Sequence, residues 1–370
     1  MGAYAVFETG TLADAVARAA RVAPRKGAAY DKSAGIVLEA DPQPGEAPIV
    51  TIKATDLQVF YLEYVNALEV GEEPISWRLP SGLFSDIASG LPLGEGHKVR
   101  ISKSASDGRV NITSGRMKAK ISSTDVHSYP RWEQFDPEGL SVVPDLSFRL
   151  KQVAWACDKA NPPFSGVHLD GDYLTATDRY RFARVPCEVP VEKPITAPLD
   201  IVSSILNPGA EIRMGSEGNF LLLMPDDYTY IKSIIFQAPY PSREKVDSML
   251  PSTYKFTVEA PKDQFIEKLQ RMMVLVKTER YPTASITFTN DSIELFMKVE
   301  ERGEIEEVIE SIEFDDHFIF DITPTNLVEG LAAANAEYVS IGLGPDPNLP
   351  VYVQDGKGYQ AWIMPRKRGD

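Results

Sequence analysis

Cysteine is scarce in this 370-residue chain. There are two, Cys157 and Cys187, too few for a disulfide framework or a four-ligand zinc site, and the usage points to a reducing compartment. Histidine is scarce too. His97, His127, His168 and His317 lack the spacing that puts two imidazoles on one helix face, so no metal site is expected and each reads as a surface or turn residue. Long apolar runs are missing. Phe220 to Met224 is among the longest and is strand-sized, far short of the ~20 residues a membrane helix needs. The opening Met1-Gly-Ala-Tyr-Ala-Val6 has no basic segment leading into an apolar one, and Val6 breaks the myristoylation pattern. A soluble cytoplasmic protein is expected. Basic residues are outnumbered, 38 against 53 acidic, for a net charge of −15, which excludes a generally basic coat but leaves room for local basic faces.

What the chain does have is internal repetition. Ala54-Thr55-Asp56 returns as Ala176-Thr177-Asp178, with 122 residues between Thr55 and Thr177, close to a third of 370. A weaker echo, Thr289-Asn290-Asp291, follows 112 residues later. Upstream of each mark, apolar residues recur at three- and four-residue spacing, the signature of one buried helix face. They are Leu12, Val16, Ala19 and Ala20; then Leu150, Val153, Ala154 and Cys157; then Phe265, Leu269, Met272 and Met273. Downstream, a proline opens a short second helix: Pro80 before Leu83, Ile87 and Leu91; Pro198 before Ile201, Val202 and Ile205; Pro324 before Leu327, Leu331 and Ala334. Between the helices the chain alternates apolar and polar, as in Val99-Arg-Ile-Ser102, Val110-Asn-Ile-Thr113, Ile286-Thr-Phe-Thr289, Ile293-Glu-Leu-Phe-Met297 and Tyr338-Val-Ser-Ile341, predicting antiparallel sheets with one covered face. Tyr129-Pro130-Arg131, Tyr240-Pro241-Ser242-Arg243 and Met364-Pro365-Arg366 close the three thirds. The expected fold is α+β, three tandem domains of two helices on antiparallel sheets, over residues 1–135, 136–252 and 253–370.

The first helix of each third is basic within an acidic chain. Residues 11–26 carry +3, 146–160 carry +2 and 262–280 carry +2. One such helix per repeat, presented to a shared surface, suits weak and sequence-independent contact with phosphates. The compensating acid concentrates in Glu300–Asp316, nine carboxylates with one arginine, which reads as a solvated sheet edge. No catalytic constellation emerges. There is no phosphate-binding glycine loop, no dinucleotide turn and no nucleophile elbow. Cys157 falls on an apolar helix face and reads as core; Cys187 stands near a strand end with no histidine close in sequence. Asp56 and Asp178 read as turn caps, whose side chains satisfy backbone N–H groups, rather than as a catalytic pair.

Ala176-Thr-Asp-Arg-Tyr-Arg-Phe-Ala183, Ala238-Pro-Tyr-Pro-Ser-Arg-Glu-Lys-Val246 with Met249-Leu250-Pro251, Ala361-Trp-Ile-Met-Pro-Arg366 and Ser114-Gly115-Arg116 together resemble the bacterial β sliding clamp family, the processivity factors of DNA polymerase III. The resemblance runs in order over nearly the whole chain. It implies a non-catalytic protein without cofactors. Two copies would join head to tail into a six-domain ring around double-stranded DNA, held topologically. Polymerase and clamp loader would dock through short Gln-Leu-x-Leu-Phe-like peptides.

The family's peptide pocket, carried over by motif, falls on Phe164, Thr177, Arg179, Tyr180, Arg181, Phe182, Pro241, Lys245, Val246, Pro350, Trp362, Ile363, Met364, Pro365 and Arg366. Burying one Leu or Phe contributes roughly 1.5–3 kcal/mol, so a few anchors support an affinity on the order of micromolar. Arg18, Arg21, Arg25, Lys26, Arg149, Lys151, Lys268 and Arg271 are the expected DNA-facing cations, and Ala119, Ile121, Val274 and Leu275 the expected dimer seam. Three departures stand out. Arg179-Tyr180 replaces the family's Gly-His, Ala119 replaces a larger aromatic, and the tail Arg366-Lys367-Arg368 is more basic than usual. The departure at Ala119 motivates an alternative, a clamp-fold interaction scaffold that no longer encircles DNA.

Overall fold

The computed structural model describes residues 2–24, 33–43, 45–94, 96–104, 107–132, 134–199, 211–276, 282–310 and 312–367. Among them are 25 strands and six α-helices, every strand pairing being antiparallel, and the chain divides into two compact units.

Unit one comprises Met1–Ser147 and Asp200–Ile235. Its five-stranded sheet runs β5 (Glu69–Val70), β1 (Tyr4–Glu8), β7 (Lys98–Lys103), β8 (Val110–Ser114), β9 (Met117–Ile121). Its eight-stranded sheet runs β10 (Ser141–Val143), β15 (Ile212–Glu217), β16 (Phe220–Met224), β17 (Thr229–Ile234), β4 (Val59–Asn66), β3 (Ile49–Thr55), β2 (Ile36–Ala40), β6 (Ile75–Leu79). Helix α1 (Thr9–Val22) packs on α2 (Ser81–Ser89) and on β3 and β4. The predicted face of α1 is the buried one: Leu12, Val16 and Ala19 are fully covered. The helix ends where Ala23 turns extended, as the residue before Pro24 must. Helix α2 forms after Pro80 as expected, but with a different inner face. Phe84 and Ala88 are buried while Leu83 is half exposed. One residue turns a helix by about 100°, enough to bring the next side chain inward, and the ring of Phe84 offers more area to bury than Leu83.

Unit two comprises Phe148–Leu199 and Phe236–Asp370. Its eight-stranded sheet runs β14 (Ile195–Pro198), β11 (Gly166–Leu169), β12 (Tyr173–Thr177), β13 (Arg181–Pro186), β25 (Gln360–Ile363), β24 (Val351–Gln354), β23 (Tyr338–Leu343), β18 (Phe256–Pro261). A four-stranded sheet runs β21 (Gly303–Glu310), β20 (Ser292–Val299), β19 (Ala284–Phe288), β22 (Phe318–Ile322). Helix α3 (Leu146–Ala154) starts at the unit boundary, α4 (Arg243–Met249) follows Pro241, and α5 (Lys262–Met272) packs on α6 (Pro324–Ala332). Phe265, Leu269 and Met272 of α5 and Leu327 and Leu331 of α6 are buried. The helix predicted from Ile201, Val202 and Ile205 lies outside the described residues.

Each large sheet is continuous across a boundary between sequence thirds. Strand β4 pairs with β17 in unit one, and β13 pairs with β25 in unit two. The middle third is thereby shared, β15–β17 going to one unit and β11–β14 to the other. Both cysteines are buried, Cys157 against the carbonyl of Gly166. His168 departs from its reading as a surface residue. It sits on β11, stacked on Tyr240 at 4.2 Å and hydrogen-bonded to Thr196 at 3.0 Å, where burial lowers its pKa to about 4.

Candidate functional site

The repeated Thr-Asp tripeptides build one turn twice. In unit two, Thr177 Oγ1 donates to the Arg181 carbonyl (2.6 Å) and accepts from the Arg179 N–H (3.0 Å), while Asp178 Oδ1 accepts from the N–H groups of Tyr180 (2.9 Å) and Arg181 (2.8 Å). In unit one, Thr55 Oγ1 donates to the Val59 carbonyl (2.7 Å) and accepts from Leu57 N–H (2.9 Å), and Asp56 Oδ1 accepts from Gln58 (2.8 Å) and Val59 (2.7 Å). The residue after each Asp is left-handed, Leu57 at φ 75° and Arg179 at φ 79°. Both aspartates are turn caps, as their position suggested. The third echo differs, with Thr289 bonded to Ser292.

In unit two the turn aims Arg179, Tyr180 and Phe182 at the neighbouring strands. Phe182 pairs with Trp362 on β25, which pairs with Tyr352 on β24. The ring centroids lie 5.5 Å and 4.9 Å apart. Tyr254 stacks on Tyr352 at 4.8 Å and accepts the Trp362 Nε1–H at 2.7 Å, so the buried indole donor is satisfied. Burial raises the Tyr254 phenol to about 12, leaving it neutral at ordinary pH. Opposite stands α4, capped by Ser242, whose Oγ accepts from Lys245 N–H, with Val246 buried against the aromatic group.

Between them lies a pocket of about 300 Å³ with mostly apolar walls. Two open depressions in the same unit are larger, about 840 and 870 Å³, but polar carboxylates such as Glu259, Glu310, Asp291 and Asp315 line them. The smaller pocket offers what an apolar peptide side chain needs.

Eleven of the expected pocket residues line it: Phe164, Thr177, Arg179, Tyr180, Arg181, Phe182, Pro241, Val246, Pro350, Trp362 and Met364. Lys245, Ile363, Pro365 and Arg366 do not. Ile363 alternates to the other face of β25 and is fully buried toward Gly330 of α6, the period of a strand. Lys245 is exposed on α4, and the backbone N–H of Arg366 donates to the Asp321 carbonyl of β22 at 2.6 Å. Met249 and Leu250 line the pocket as well. Their signal was Met249-Leu250-Pro251, legible as a motif but not assigned to the wall.

Unit one carries the same register with different chemistry. Phe60 pairs with Lys232, which pairs with Leu222, so a lysine occupies the place of Trp362. Trp132 packs beside Phe60 at 6.0 Å, and Phe135 is buried against Tyr230.

The expected DNA-facing cations separate into groups. Arg18 is paired with Glu63 of β4. Arg271 reaches Glu307 (2.7 Å) and Glu267 (2.6 Å), and Lys268 reaches Glu307 at 3.3 Å. Desolvation pushes the Glu307 carboxyl up, yet the two cations outweigh it and hold it below the ordinary range. These three cations are engaged inside the chain, which a local charge count along a helix cannot foresee. Arg21 and Lys151 are exposed, and Arg149 lies over the Phe148 ring at 6.0 Å. Arg25 and Lys26 lie outside the described residues.

Ala119 and Ile121 sit on β9, an outermost strand, Ala119 half-buried and Ile121 buried. Val274 is exposed in the 3₁₀ turn Met273–Val276, beside Leu275, whose carbonyl accepts from Arg302 at 3.1 Å. That contact ties the turn to the outermost strand β21.

Among the described residues, six helices on antiparallel sheets, with two eight-stranded sheets each sewn across a repeat boundary, define an α+β DNA-clamp fold. It is the fold of the bacterial β sliding clamp. The crystal structure of the DNA polymerase III β subunit from Thermotoga maritima superposes with a TM-score of 0.81 at 18% identity, covering 99% of this chain and 100% of that one. The β subunit from the DNA polymerase of Streptococcus pyogenes gives 0.79 at 18% identity over 99% and 100%. The DNA polymerase sliding clamp from Bacillus subtilis gives 0.78 at 16% over 100% of both chains. No family model and no curated protein sequence matches. Among the described residues no helix is long and apolar enough to cross a membrane.

Proposed function

We propose that this chain is a DNA sliding clamp. Three clamp domains, 1–135, 136–252 and 253–370, make half of a head-to-tail homodimeric ring that surrounds duplex DNA in a bacterial cell or phage-infected host. It tethers polymerase, clamp loader and other replication or repair proteins and catalyses nothing itself. The observation that carries this reading is the aromatic pocket of β13, β24, β25 and α4, because a tether needs one small apolar socket for short peptides from many partners. Met364 and Met249 suit that task, being unbranched and able to repack around different side chains.

Ring closure finds support in two sheet edges of opposite charge. Lys118 and Lys120 are exposed on β9, Lys120 paired with Asp107 at 2.8 Å, and Glu304 and Glu306 are exposed on β21, Glu304 paired with Lys298 at 3.3 Å. Charged edges deter indiscriminate strand addition, while a Lys-bearing edge and a Glu-bearing edge are matched to each other. Val274 and Leu275 would add apolar contact there.

A second reading, the interaction scaffold, draws on the engagement of Arg18, Lys268 and Arg271 with carboxylates. Weak phosphate contact nevertheless suffices where the link is topological. Loading onto nicked circular DNA separates the two. A clamp stays on the circle and is released when the DNA is linearised; a scaffold is never retained. Processivity of a cognate polymerase should rise with the loaded clamp, and retention with no effect of linearisation would refute encirclement.

A further inference from the structure

Arg179 is exceptional among the charged residues of the pocket. The lining holds two charged side chains among the described residues, Arg179 and Arg181, and no carboxylate, in a chain of net charge −15. Arg181 is spoken for. Its side chain is 10% exposed, with Nε at 2.8 Å from Asp178 and a second contact to Glu329. Arg179 is 61% exposed, and its guanidinium lies over the Phe164 ring at 5.6 Å. It forms an ion pair with Asp158 at 3.6 Å, longer than a hydrogen bond.

Asp158 is held mainly by other groups. Its oxygens accept from the N–H groups of Ala160 (2.9 Å) and Asn161 (3.3 Å) and from Asn161 Nδ2 (2.9 Å). Arg179 therefore rests on an aromatic wall, its Nε donating to the Asp178 carbonyl at 3.4 Å, while its largely exposed terminal nitrogens remain within reach of a ligand at the pocket wall, an arrangement suited to a carboxylate. The acidity of the whole chain does not cancel this, since charges beyond about 10 Å are screened at 0.1 M salt.

We propose that Arg179 reads a carboxylate on the docked segment, so that the pocket takes an apolar peptide with an acidic residue next to the anchor that packs on Phe164. This rests on the peptide-docking reading above and adds the partner's chemistry. The test uses the full chain and peptides blocked at both ends: Gln-Leu-Ser-Leu-Phe, the same with Asp-Asp or Lys-Lys after the Phe, and the same with Asp-Asp before the Gln. Calorimetry is run at 50 and 300 mM salt.

One Asp-Asp peptide should bind about twofold to fivefold tighter than the neutral one at low salt, as an exposed charge contact allows, and the Lys-Lys peptide more weakly. The ratio should shrink at high salt and collapse to one in Arg179→Gln. Arg179→Gly gives the same collapse in a variant whose backbone tolerates φ 79°, so misfolding cannot account for it, and Arg179→Lys retains part of the preference. Equal affinities for acidic and basic peptides, or a preference surviving both substitutions, overturn the proposal. If no peptide binds, the docking reading itself falls, and this inference with it.

Discussion

Because the Thr-Asp turn occurs twice, Thr177→Val and Thr55→Val make a matched pair. Each removes one hydroxyl and keeps the shape. At Thr177 the losses are a hydrogen bond to the Arg181 carbonyl and one from Arg179 N–H; at Thr55 they are those to Val59 and from Leu57. At roughly 0.5–1.5 kcal/mol apiece the cost is about 1–3 kcal/mol per variant. Thr55 is fully buried and Thr177 half-buried, so Thr55→Val belongs at the upper end. For a folding unit of this size that shifts Tm by about 2–4 °C per kcal/mol. Scanning calorimetry is the suitable assay, because two units need not melt as one transition.

Function should split the pair. Thr177→Val unpins Arg179 and Tyr180 and should weaken peptide binding by about threefold to tenfold, or 0.7–1.4 kcal/mol. Thr55→Val, in the other unit, should leave peptide affinity unchanged. Equal weakening by both would refute a local role for the turn, and unchanged stability in both would refute the hydrogen-bond reasoning.

Phe182→Ala combined with Met364→Ala removes two apolar walls worth roughly 1.5–3 kcal/mol each. Peptide affinity should fall at least about tenfold and polymerase tethering should be lost while the fold persists by circular dichroism; unchanged processivity would count against the socket. His168 has its pKa lowered from 6.5 to about 4 by burial, so the unfolded chain takes up its proton first. Stability is complete above pH 6.5 and declines as pH falls toward 4, by at most about 3 kcal/mol; denaturant titrations of the wild type and His168→Gln should diverge in that window, and parallel curves would refute the assignment. Lys118→Glu with Lys120→Glu should weaken self-association in sedimentation, and adding Glu304→Lys with Glu306→Lys should restore it. No rescue by the double reversal would separate these edges from the dimer seam.

Much of this architecture is legible along the chain because helix faces and alternating strands are local patterns. Leu12, Val16 and Ala19 announce α1, and Ala54-Thr55-Asp56 announces its counterpart at Ala176. What sequence spacing does not carry is partnership across space. Glu307 meets Arg271 from 36 residues away, so a basic helix on paper is largely neutralised in the fold. Ile363 stands between Trp362 and Met364 in the motif, yet strand alternation turns it inward. Leu83 and Phe84 both fit a short helix, and only the packing on α1 selects Phe84. Met249 and Leu250 join the pocket because α4 folds back over the sheet, a fact of topology rather than of pattern.

The doubled turn also bears on how such a protein changes over time. Its hydrogen bonds run from the side chains of Thr and Asp to backbone groups, so the two residues in the middle contribute backbone N–H and C=O groups and a left-handed φ but no side-chain atom to the frame. Leu57-Gln58 and Arg179-Tyr180 have no chemistry in common, yet the same bonds close around both. The frame is inherited while its two central side chains are interchangeable. A lineage can therefore exchange one recruitment preference for another at this spot, one substitution at a time, without passing through an unfolded ancestor.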